Sequence, residues 1–119
     1  MKKKAKKMAK KRETLEVDAG FAPVVAAFAK NRDVSQKRMF SSDNVLNVNG
    51  KIFAMLVKGK FVAKLPKHRV DELVRDGDGE YFDPGHGRLM KEWVSVADGR
   101  VLWVDLAKEA YRFVKGITR

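Results

Sequence analysis

NGKIFAMLVKGKFVAKLP, residues 49–66, decides the fold of this chain. Asn49-Gly50 is a hairpin signal, because both central positions of a type I′ turn need positive φ. The run that follows, 51–57, reads as a strand. Ile52, Ala54 and Leu56 alternate there with Lys51, Phe53, Met55 and Val57. Both sets are rather apolar, as expected for a central strand with two covered faces. Lys58-Gly59 turns the chain into 60–65, where Phe61 and Ala63 point one way and Lys60, Val62 and Lys64 the other. Pro66 then suits the start of a helix.

Working outward, the helix 67–75 carries Val70, Leu73 and Val74 on one face and stops at Gly77 and Gly79. Residues 80–82 and 91–96 read as two further strands around the loop 83–88. Asp98-Gly99 makes a turn. The last helix, 101–117, places Leu102, Trp103, Leu106, Ala110, Phe113, Val114 and Ile117 at spacings of three and four, with Lys108, Glu109, Arg112 and Lys115 on its wet side. Upstream, one strand is expected from 37–40, continuing towards Val48. Before it, Phe21, Val24, Val25 and Phe28 mark an amphipathic helix over 19–31, with Asp18 as its cap and Pro23 near its first turn. The predicted order is α-β-β-β-α-β-β-α. A two-layer α+β domain, with a predominantly antiparallel sheet and helices on one face, buries these elements most simply.

At 119 residues the chain is one domain, large enough to bury somewhat over about 60% of its unfolded surface. No apolar run approaches the roughly 18 residues that a membrane helix needs, so no membrane partner is expected. Acidic Glu13, Glu16 and Asp18 separate the basic start from any apolar stretch, which argues against a secretory signal and makes the cytoplasm the expected compartment. With no cysteine there is no disulfide framework and no thiolate zinc site.

The net charge of +11 is lopsided: residues 1–18 hold eight basic and three acidic side chains. Residues 1–17 read as a basic mobile tail, and 18–119 as the folded domain, because like charges and few apolar groups leave little to repay ordering. Lys2, Lys3, Lys4, Lys6, Lys7, Lys10, Lys11 and Arg12 have a physical route to DNA or RNA. Cations placed near phosphates release condensed counterions, which favours binding without regard to sequence. The bland alternative is a solubilising tail. Aromatic residues do not interleave with these lysines, which weakens a single-strand reading of the tail.

Four stretches, RMF (38–40), GKIFAMLV (50–57), KLP (64–66) and DPGHGRLMKEW (83–93), together resemble the N-terminal domain of the TfoX/Sxy competence regulators. The resemblance covers about residues 20–116. It implies a two-layer α+β fold, related in outline to YjbR-type domains and secretion chaperones, and a binding or regulatory role. Ser41 stands where the family often has glycine, and the regulators' further C-terminal domain has no counterpart in these 119 residues.

The most site-like loop is 83–88. There Gly85 and Gly87 would let backbone N–H groups approach an anion, and His86 and Arg88 would add charge. The alternative is a tight connection between strands, and a lone G-x-G is weak evidence for more. His68 with Asp71 and Glu72, or His86 with Asp83, supplies at most a partial metal set, so no metal or other cofactor is expected. Ser41 and Ser42 lack a nucleophile context, and no residue is assigned a catalytic role. Trp93 and Trp103 are expected to meet in one core, with Met39, Met55 and Met90 as fillers. The leading expectation is a non-enzymatic binding domain with a polyanion-binding tail. A protein–protein adaptor stands second and a small enzyme third. Oligomeric state is not legible in the sequence.

Overall fold

The structure is a computed structural model; it describes residues 19–39, 42–85, 87, 89–97 and 102–117. The tail and the Asp98-Gly99 turn lie outside these residues. Three helices, α1 (Ala22–Ala27), α2 (Lys67–Arg75) and α3 (Trp103–Ile117), accompany six strands. The strands are β1 (Val34–Met39), β2 (Ser42–Val48), β3 (Lys51–Val57), β4 (Lys60–Lys64), β5 (Glu80–Phe82) and β6 (Met90–Val96). Every strand pair is antiparallel, in the order β1-β2-β3-β4-β6-β5. The expected α+β class is observed.

Both two-residue hairpins adopt the geometry their residues demand. Asn49 and Gly50 have φ of 51° and 86°, and Lys58 and Gly59 have 52° and 82°. The pairs Val48↔Lys51 and Val57↔Lys60 close the two hairpins. This left-handed pair matches the right-handed twist of the flanking strands.

The single strand expected over 37–48 is instead two strands, β1 and β2. They pair from Val34↔Val48 through to Met39↔Ser42. The signal was present in Ser41, Ser42, Asp43 and Asn44, whose short polar side chains favour turns. The observed order is therefore α-β-β-β-β-α-β-β-α. The first helix is also shorter than 19–31. Phe21 occupies its N-cap position without a side-chain cap, Pro23 sits in its first turn, and the chain leaves helical geometry at Phe28. Asp18, expected to cap it, lies outside the described residues.

All three helices pack on one side of the sheet. Phe21, Val24 and Phe28 from the α1 region, Val70 and Leu73 from α2, and Leu106, Ala107, Ala110 and Val114 from α3 share one buried core. The sheet contributes Leu46, Val48, Phe53, Ala54, Phe61, Ala63, Val94 and Val96 to it. Strict alternation in β3 would have put Phe53 opposite Ala54. A register shift between Leu46 and Asn47, which pairs Asn47 with Ile52 and Leu46 with Ala54, leaves Phe53 as an extra residue. Such a bulge reverses the parity of everything beyond it. Phe53 consequently meets Phe28 and Tyr111, with ring centroids 5.2 and 5.8 Å away.

Candidate functional site

The α2–α3–β5 corner carries the densest polar cluster. Arg69 on α2 donates through Nε (2.9 Å) and Nη2 (3.3 Å) to the two carboxylate oxygens of Glu109 on α3, and through Nη1 to Glu72 (3.0 Å). These bonds, to Glu109 above all, hold the Arg69 guanidinium above its usual range. Nearby, the Tyr81 hydroxyl donates to Asp71 at 2.6 Å, and Lys67 Nζ donates to the other oxygen of the same carboxylate at 2.9 Å. The Tyr81 bond, followed by that from Lys67, pulls the Asp71 carboxyl below the ordinary carboxylate value, and the same bond pushes the Tyr81 phenol up. Each group here is matched to an opposite charge or a donor, so the cluster ties α2 to β5 and α3. His68 is exposed on the same helix. Among the described residues no group of three His, Asp or Glu side chains is placed to hold a metal ion.

The loop 83–88 is only partly described, since His86 and Arg88 lie outside the described residues. Its two glycine N–H groups turn inward. Gly85 N donates to Asp83 Oδ1 at 2.8 Å and Gly87 N to the same oxygen at 3.3 Å. A carboxylate of the chain itself thus sits where an incoming anion would have to bind. That geometry is an Asx-type turn, which shapes a strand connection.

The opposite face of the sheet is built differently. Val45, Met55 and Val62 form a second buried cluster, with half-buried Ile52, Val57, Phe82 and Trp93 packed against it. All seven are strand residues, so among the described residues no helix contributes to this face. Backbone register aligns Lys37, Val45, Met55, Val62, Ser95 and Glu80 across all six strands. Trp93 is therefore not in the helix-side core. Trp103 is: it stacks on Phe61 at 5.6 Å and 17°. The two tryptophans expected to share a core lie on opposite faces of the sheet. Proximity of each to apolar neighbours in sequence carried no information about which face it would take.

Beside Trp93 the second face becomes cationic. Lys64 pairs in register with Trp93, and its ammonium lies 5.3 Å from the indole centroid. The same nitrogen is 3.3 Å from Glu92. Lys60 reaches Glu80 at 3.5 Å. On β6 and just before it, Leu89 and Met90 are 50% and 39% exposed, and Lys91 is exposed. Sequence reading missed this grouping because residues 64, 82 and 93 come together only through the β4-β6-β5 order. Comparison with family models, curated proteins and solved structures found no match.

Proposed function

We propose that this chain is a non-enzymatic binding domain of the TfoX N-terminal-like kind, which contacts nucleic acid without sequence preference through Lys2, Lys3, Lys4, Lys6, Lys7, Lys10, Lys11 and Arg12. The observation that carries this reading is the concentration of eight cations in residues 1–12, against none of either acidic type in the same stretch. The charges of the α2–α3–β5 corner are internally matched and add no competing site. With roughly four to six phosphates contacted, log K on duplex DNA should fall with log salt at a slope of about −3.5 to −5.5. Removing residues 2–12 should abolish most of this affinity and leave thermal stability nearly unchanged. Sequence-specific binding that survives the removal would refute the tail as the reader.

A protein–protein adaptor is the second reading, favoured by the sheet order. β1 stands at one edge with six residues, long enough for a partner strand to add to it. An adaptor's partner would stay bound after tail removal, and nuclease treatment would not release it.

A further inference from the structure

We infer that the second face of the sheet, around Trp93, Phe82 and Lys64, is a stacking platform for the unpaired bases of a single-stranded nucleic acid. Three consecutive strands supply the parts: Lys64 on β4, Trp93 on β6 and Phe82 on β5. Neighbouring strands lie about 4.8 Å apart, so a cation, an indole and a phenyl ring come within reach of a short stretch of one strand. Proteins that hold single strands combine these two features: rings on which bases stack and cations that follow the backbone.

Several observations favour this occupant over others. Trp93 and Phe82 are half-buried, rooted on Val45, Met55 and Val62. Their fixed orientation means that stacking costs little side-chain entropy. The cation–π cap on Trp93 is a Lys64 ammonium rather than a packed side chain. An ammonium is strongly hydrated and sits on a flexible stem, so a base can take its place over the ring while Lys64 moves to a phosphate. Lys60 is exposed on the same strand, and Lys91 is exposed two residues before Trp93. The charge therefore suits a polyanion. Duplex DNA would bring phosphates but keep its bases stacked on each other, leaving the rings and the exposed Leu89 and Met90 without a partner.

The inference extends the nucleic-acid reading above from the tail to the folded domain. The two can fail separately, and the two tryptophans make the test direct. In the full-length Trp103→Phe chain, Trp93 is the sole tryptophan. Titration with a thymidine dodecamer at low salt should quench its emission saturably. The Trp93→Phe chain, which reports only Trp103 on the helix side, should show little change. Trp93→Leu should weaken dodecamer binding by about 5- to 150-fold, the range expected for losing one stacked base, with little effect on a duplex of the same length. Lys64→Gln, at a position that carries no core packing, should lower the salt slope on the single strand by about 0.7. If a labelled dodecamer binds while Trp93 emission and the Lys64→Gln slope stay unchanged, the tail alone holds it, and the platform is refuted while the tail reading stands. Absence of binding to either strand form would sink both. Equal quenching by poly-glutamate, which has charge and no bases, would overturn stacking in favour of an acidic protein partner.

Discussion

Asn47 buries a carboxamide at 2% exposure, and its Nδ2 has no hydrogen-bond partner. A buried donor without a partner costs about 1–3 kcal/mol, whereas an apolar group of the same shape costs nothing of that kind. Asn47→Leu keeps the skeleton and should leave the urea midpoint unchanged or raise it. A fall of more than about 1 kcal/mol would show that the amide is used. The Tyr81–Asp71 bond makes a different residue-level statement. The folded Asp71 carboxyl sits below 3.8, chiefly because Tyr81 donates to it and secondarily because of Lys67. A depressed carboxyl pKa contributes stability that is present above the unfolded value and is lost as pH falls through the folded one. The window is therefore acidic, below about pH 4. Tyr81→Phe should raise the Asp71 titration midpoint, read by carboxylate NMR, and make the acid limb of the stability curve shallower. An unmoved midpoint would mean that Lys67 dominates.

The elements end and bend for reasons that differ even where the residues are alike. Gly77 and Gly79 both follow α2, and either would serve as a sequence stop. Gly77 has φ of 79°, its N–H bonds to Val74 O at 3.1 Å, and Asp78 N bonds to Leu73 O at 2.8 Å. This is the Schellman ending, which needs the left-handed residue. Gly79 is required by crowding instead. A Cβ there would lie 2.6 Å from Val94 Cγ2 and 3.3 Å from Ser95 O. Val94 is fully buried and cannot swing away. Gly79→Ala should thus destabilise by about 1–3 kcal/mol, as overpacking does, measured by chemical denaturation. Pairing it with Val94→Ala should recover part of the loss. At the β3 bulge, Phe53→Ala would remove the ring that joins Phe28 and Tyr111, at an expected cost of about 3–5 kcal/mol.

Across the whole molecule, the sheet separates two environments, and the tryptophans report one each. Trp103 stacks on Phe61 against the helix-side core, with a buried Nε1 that has no partner among the described residues. Trp103→Ala should cost about 3 kcal/mol. Trp103→Phe should be close to neutral, because it deletes the unpaired donor and keeps a ring. Trp93→Ala, on the second face, should cost clearly less than Trp103→Ala in the same denaturation series. Equal losses would place both tryptophans in comparable cores. No helix among the described residues is long and apolar enough to cross a membrane, so neither face is a spanning-helix surface.

Local chemistry settled a good deal of this fold. Asn49-Gly50 and Lys58-Gly59 dictated the two hairpins, Pro66 and Gly77 bounded α2, and the three- and four-residue spacing from Trp103 to Ile117 made α3. These signals act over a few residues, so they are written in consecutive positions. The split of 37–48 into β1 and β2 was also local, carried by the Ser-Ser-Asp-Asn run, although apolar alternation obscured it. Tertiary structure alone decided the bulge at Phe53, because a register shift depends on what the neighbouring strand offers. It alone placed β6 between β4 and β5, and so brought Lys64, Trp93 and Phe82 together from 29 positions of chain. It alone set Trp93 and Trp103 on opposite faces. A side chain's face in a sheet is fixed by pairing across the chain, and pairing is a property of distant residues meeting, not of any one segment.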